Sequence, residues 1–172
     1  MRRALNSRRK VHTAQLLVLA LLFLASETNS ADNPGFFDPD GYYFPAQETL
    51  IGSYHLEWFE LSTLDHSGDY EKPRLLTPTA RVHFKNRKND QLLFHDCPQP
   101  VITANRLHLQ CPAIPLGILT IEGVFLDKGG QYWNRSDIKP METVVLNARV
   151  IVKKNGKLVY SKDHTFTYWE GD

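Results

Sequence analysis

From Thr49 onward, apolar and polar residues alternate with a period of two. In "YHLEWFEL", Tyr54, Leu56 and Trp58 fall on one side and His55 and Glu57 on the other. In "TARVHFKN", Val82 and Phe84 alternate with Arg81, His83 and Lys85. "GILTIEGVFLDK" sets Leu119, Ile121 and Phe125 against Thr120 and Glu122, and "ETVVLNARVIVKK" sets Val144, Leu146, Ala148, Val150 and Val152 against Asn147, Arg149 and Lys153. Successive side chains of a strand point to opposite faces, so the pattern predicts strands with one buried and one wet face. Asn155-Gly156 in "KKNGK" marks a hairpin, because both residues tolerate the positive φ that a two-residue turn demands. "LDKGGQYW" reads as a second, Gly-containing turn between short strands. Seven or eight short strands at this spacing predict an all-β fold. The expected architecture is an antiparallel β-sandwich of immunoglobulin-like type, with a small closed β-barrel as the alternative. No cysteine pair brackets a tryptophan, so "immunoglobulin-like" describes architecture alone.

Two N-terminal segments break the pattern. "MRRALNSRRKVHT" carries Arg2, Arg3, Arg8, Arg9 and Lys10 and no acid, and the 12-residue apolar run "AQLLVLALLFLA" and the polar "SETNSADN" follow it. Basic, apolar and small-residue regions in that order predict a signal peptide over residues 1–30. A helix crossing the hydrocarbon core needs ~20 apolar residues, so no integral membrane segment is expected. Arg8-Arg9 invites a twin-arginine reading, but Val11 and His12 do not suit that signal. Residues 31–48 form an arm punctuated by Pro34, Gly35, Pro39, Gly41 and Pro45, which excludes a regular helix or a long strand. The arm nonetheless carries Phe36, Phe37, Tyr42, Tyr43 and Phe44. It either lies across the domain and buries these rings, or presents them to a partner. "DPDG" at Asp38–Gly41 lacks the further ligands of a calcium loop and reads as a turn. Residues 49–172 are expected to form a single β domain.

Charge narrows the partner. The chain holds 20 Lys+Arg and 19 Asp+Glu; residues 1–30 contain five of the former and only Glu27 of the latter. That leaves 15 against 18 in residues 31–172, formally −3. Without a basic stripe, nucleic acid is not an expected partner. With 42% hydrophobic and 11% aromatic residues, the chain can bury one core.

Candidate chemistry is sparse. Cys97 and Cys111 are the only two cysteines. A zinc site wants four ligands in tight pairs, and His95 and His108 do not complete such a set. The C-x-x-C of thiol redox chemistry is missing. In an oxidising compartment two such cysteines pair, so a disulfide is expected. A hairpin closed by Thr103, Ala104 and Asn105 would set Ile102 opposite Arg106, Val101 opposite Leu107 and, continued outward, Cys97 opposite Cys111, though Pro98 and Pro100 interrupt that ladder. Asp65, His66, Ser67 and Asp69 in "LDHSGDY" are neighbours in sequence, which is not how a catalytic triad is assembled, and G-x-S-x-G is absent. They read as a polar loop. His55, His83 and His108, and the carboxylates Glu57, Glu60 and Glu122, fall on wet strand faces. Asn134–Ser136 fits the N-glycosylation pattern. No catalytic residue, metal or cofactor is assigned.

The expectation is therefore a secreted or periplasmic, non-enzymatic binding or interaction module. Its partner would be another protein or an extracellular or envelope ligand. Phe36, Phe37, Tyr42, Tyr43 and Phe44 are the first candidate contacts, then Tyr132 and Trp133. A hydrolase using surface carboxylates or histidines is one alternative, and a structural component of an envelope or extracellular assembly is another.

Overall fold

Among the described residues, ten antiparallel strands carry the alternation. They are β1 (Gly41–Pro45), β2 (Leu50–Ile51), β3 (Tyr54–Asp65), β4 (Arg74–Asn86), β5 (Leu92–Asp96), β6 (Val101–Thr103), β7 (Arg106–Ala113), β8 (Gly117–Phe125), β9 (Val144–Lys154) and β10 (Lys157–Trp169). The computed structural model describes residues 37–65, 74–127, 132 and 135–171. The leader, Phe36, the His66–Asp69 part of the polar loop, Trp133 and Asn134 lie outside them. Among the described residues no helix is long and apolar enough to cross a membrane.

The strands form one sheet in the order β5-β4-β3-β1-β10-β9-β8-β7-β6, with β2 on β3, and the sheet is not closed into a barrel. This differs from the two sheets of the expected sandwich, and the reason lies in the arm. The chain forms two meanders, β2–β5 and β6–β10, and β1 is laid between them. Tyr43 sits opposite Phe59 of β3 on one side and Tyr168 of β10 on the other. Gly41 and Pro45, two of the residues that argued against a long strand, merely bracket a strand of five residues. Gly41 has φ +139°, and a Cβ there would come within 2.5 Å of the Tyr168 ring, so only glycine fits where the arm enters the sheet.

One face of the sheet forms the core. Val82, Phe84, Leu119, Ile121, Leu146, Val150 and Val152 are buried as their alternation predicts. β3 is the exception. Leu56 lies opposite Phe84, but Trp58 lies opposite His83, so Glu57 is an extra residue on this strand. A bulge reverses the faces beyond it. Phe59 and Leu61 are buried, and Trp58, expected beside Leu56, is on the outer face. At the core's centre Tyr43 stacks on Phe59 at 5.0 Å, with Tyr168 edge-on at 5.6 Å.

The arm is also tied down by polar contacts. The Tyr43 hydroxyl donates to the Pro39 carbonyl at 2.6 Å and that of Tyr168 to the Asp40 carbonyl at 2.7 Å. The Asp40 carboxylate accepts from the Thr63 amide at 2.6 Å and its hydroxyl at 2.7 Å. "DPDG" is the expected turn, closed by the Asp40 amide donating to Asp38 at 3.1 Å. Asn155 and Gly156 take φ 50° and 75° between Lys154 and Lys157, as the hairpin between β9 and β10 requires.

The far ends of the sheet come back together at a seam between β5 and β7. Cys97 and Cys111 form a buried disulfide there, with Cα atoms 4.2 Å apart. The pairing is the expected one, but it arises differently. Thr103 pairs with Arg106, Ile102 with Leu107 and Val101 with His108, so the β6–β7 turn holds two residues and the register is one step from the expected one. Asn105 is not among the positive-φ residues. Continued outward, this register would put Cys97 opposite Pro112. Cys97 instead extends β5, its amide donating to the Ala80 carbonyl of β4 at 2.8 Å. The disulfide thus joins two edges of the sheet rather than two arms of a hairpin. Proline explains why backbone pairing does not close the gap. Pro78 lies beyond the β4–β5 ladder, Pro112 beyond the β6–β7 ladder, and Pro98 and Pro100 sit in the link between. None can donate to a ladder.

The staple should therefore carry measurable stability. A loop of this length gives ~3 kcal/mol in the chain-entropy account, on the order of 10 °C in the unfolding midpoint. Replacing both cysteines by alanine is expected to lower the midpoint by that much. An unchanged midpoint would contradict a seam held by the disulfide.

Candidate functional site

The bulge at Glu57 assembles the outer face of β10-β1-β3-β4-β5. Two rows of side chains cross it. One is aromatic: Phe44 lies 5.9 Å from Trp58, which stacks on His83 at 4.5 Å, and Phe94 follows 6.2 Å beyond. Phe94, on the edge strand β5, is 64% exposed. The second row follows from the ladder registers as Trp169, Tyr42, Glu60, Arg81 and Asp96. It begins aromatic, with the Tyr42 and Trp169 rings 5.6 Å apart, and ends charged. Arg81 Nε donates to Asp96 at 2.6 Å, its guanidinium lies 3.6 Å from Glu60, and it stands 5.4 Å over the Phe94 ring. The hydrogen bond and charge of Asp96 raise the Arg81 pKa further above its ordinary value.

A cleft of about 900 Å³ opens at the charged row. The segment leaving the disulfide, Pro98-Gln99-Pro100, walls one side, and Pro78 of β4 adds to it. Gly41, Leu61 and Ala80 border it, and Tyr42, Glu60, Arg81, Asp96 and Glu170 supply its polar and aromatic groups. Binding pockets are commonly of ~300–1,000 Å³, mostly apolar with a few placed polar groups. None of the described residues lining the cleft is a histidine, and the Ser62 hydroxyl there donates to Asp40 at 3.4 Å. Among the described residues no nucleophile with a neighbouring imidazole is therefore assembled in it. A second concavity, of about 610 Å³ on β8–β10, holds the mutually satisfied pair Arg149–Asp163.

The structure divides the candidate contacts. Tyr43 and Tyr132 are core residues, 0% and 2% exposed, and so are not available to a partner. Phe37 packs edge-on against Phe125 at 5.1 Å, half-buried. Tyr42 and Phe44 are half-buried on the outer face, where the pleat of β1 sends every second side chain. His83, expected on a wet face, lies on it, and Trp58, Phe94 and Trp169, which were not singled out from the sequence as contacts, complete it. A conflict of phase could have revealed them: counting forward from Leu56 buries Trp58, while counting back from Leu61 buries Phe59. Two adjacent aromatics cannot both point inward without an inserted residue.

The wet-face histidines do not converge. His55 pairs with Glu57 at 2.9 Å, His108 with Glu122 at 3.0 Å, and His83 Nε2 lies 3.8 Å from Glu60. Glu57 and Glu60 share β3, and Glu122 is on β8, four strands away in the sheet. Among the described residues no group of three or more His, Cys, Asp or Glu side chains could hold a metal ion.

His83 is the titratable member of the aromatic row. Burial, opposed by Glu60 and reinforced by Arg81, holds its pKa below the ordinary 6.5. The unfolded chain therefore takes up a proton that the folded chain resists. This contribution to stability is complete above pH 6.5 and is lost as the pH falls through the folded-state value. His164, bonded to Thr49 at 3.1 Å and Tyr160 at 2.8 Å, is lowered in the same sense by burial and by Lys162. The midpoint of thermal unfolding is expected to fall below pH 6.5, and to fall less steeply in His83→Gln. An equal slope in the variant would contradict a buried, neutral His83.

Compared with known proteins, the chain matches no family model, no curated protein and no solved structure, so a reading of its function rests on this face and its cleft.

Proposed function

We propose that this protein is an exported, non-enzymatic interaction module that engages its partner on the outer face of β10-β1-β3-β4-β5. The observation that carries the reading is the cleft of about 900 Å³ beside an aromatic row, lined by Pro78, Pro98, Pro100 and Tyr42 together with the charged groups Glu60, Arg81, Asp96 and Glu170. Aromatic side chains are the usual energetic anchors of interfaces, and Tyr42, Trp169 and Phe94 are gathered here. The basic-apolar leader sequence and the disulfide support export to an oxidising compartment.

The test is capture of a partner from the extracellular or envelope fraction by wild-type protein, by a Tyr42→Ala/Trp169→Ala variant, and by Val124→Ser as a control. Val124 is exposed on β8, outside the cleft. The face variant is expected to lose ~10-fold or more in affinity, the cost of removing an anchor, with the control unchanged. Melting curves of the variants separate lost binding from lost fold. A partner held equally well by folded wild type and face variant would overturn the assignment of this face.

A further inference from the structure

Resting on that reading, we infer that the cleft binds an extended segment of a partner protein through its lysine or arginine side chains. The charged row is half-filled. At one end Arg81 lies between Asp96, at 2.6 Å, and Glu60, at 3.6 Å, with its guanidinium over the Phe94 ring. This face therefore already holds one cation between carboxylates and an aromatic ring. At the other end Tyr42 and Trp169 pack together at 5.6 Å, Glu170 lines the cleft with Tyr42, and among the described residues no cation lies over either ring or pairs with Glu170. An aromatic ring and a carboxylate together favour a desolvated ammonium or guanidinium.

The net charge agrees. Leaving Asp40 aside, Glu60, Asp96 and Glu170 in the cleft face the single guanidinium of Arg81, formally −2. Residues 31–172 as a whole are formally −3, with 15 basic and 18 acidic residues. The cleft thus concentrates most of that excess at one site, and a cationic ligand is both attracted and oriented by it.

Length favours a peptide over a small amine. The cleft crosses β10, β1, β3, β4 and β5, four steps of ~4.8 Å or about 19 Å. An extended chain of about six residues spans that distance. The three prolines of the wall, Pro78, Pro98 and Pro100, offer apolar surface without amide donors. The segment is thus held by its side chains rather than added as a strand along this wall.

The test uses the protein purified from its host, with the N-terminus the host leaves, and fluorescent hexapeptides alternating alanine with arginine, serine or glutamate. Anisotropy titrations are expected to show binding of the arginine peptide alone. Glu170→Gln/Asp96→Asn should weaken it roughly tenfold, two exposed charge contacts' worth. Arg81→Gln should tighten it several-fold, because the competing cation is gone, and Glu142→Gln, outside the cleft, should change nothing. An arginine peptide indifferent to the cleft substitutions, or weakened by Arg81→Gln in a protein that still melts cooperatively, would overturn the inference. Cleft-dependent binding of the serine or glutamate peptide would also overturn it while leaving the interaction-module reading intact. That reading falls separately, by the partner-capture experiment.

Discussion

The insertion of β1 between β3 and β10 is the constraint on which the rest of the structure depends. Without it, β3 and β10 would each present an open edge, and the two meanders would be separate sheets. The five residues of β1 are few beside the 12 of β3 and the 13 of β10 that it joins. Its hold comes from burial: Tyr43 is fully enclosed against Phe59 and Tyr168. Polar contacts complete it, since the core tyrosines satisfy the carbonyls of Pro39 and Asp40, and Asp40 in turn holds Thr63. Buried backbone acceptors left without partners would cost more than these bonds contribute, and the tyrosine hydroxyls meet that demand at Pro39 and Asp40.

The same strand builds the outer face. The pleat that sends Tyr43 inward sends Tyr42 and Phe44 outward, and the bulge on β3 turns Trp58 to meet them. At the opposite side of the sheet, proline keeps the seam from closing by backbone pairing, and the disulfide holds the edges in its place. The stretch that leaves the disulfide then becomes a wall of the cleft. The features that leave the sheet unclosed are therefore the ones that give it a concave surface with charge in it.

Much of the fold was legible because burial on one face writes itself as alternation. Val82 and Phe84, Leu119 and Ile121, and Leu146 to Val152 follow it without a break. What was not legible came from non-local or inserted events. Pro39, Gly41 and Pro45 mark where β1 begins and ends, but nothing local to them shows that β3 and β10 leave a slot between them. Glu57 reverses the phase of β3, which a period-two count cannot absorb, so Trp58 read as core. The cysteines paired as their number suggested, yet the hairpin invoked for them had the wrong register, because the bond belongs to the seam. Of the candidate contacts, Tyr42 and Phe44 reached the outer face and Tyr43 and Tyr132 did not. Composition marks aromatic residues, and only the pleat decides which side they take.

Hydrogen exchange at the β1 amides tests the central role of this strand most directly. If β1 joins the two meanders, the amides of Tyr42, Tyr43 and Phe44 exchange only through global opening, with the same protection as the central residues of β3 and β10. Exchange of those amides at a much lower free energy, while β9 and β10 stay protected, would show a strand that rests on the sheet without holding it together.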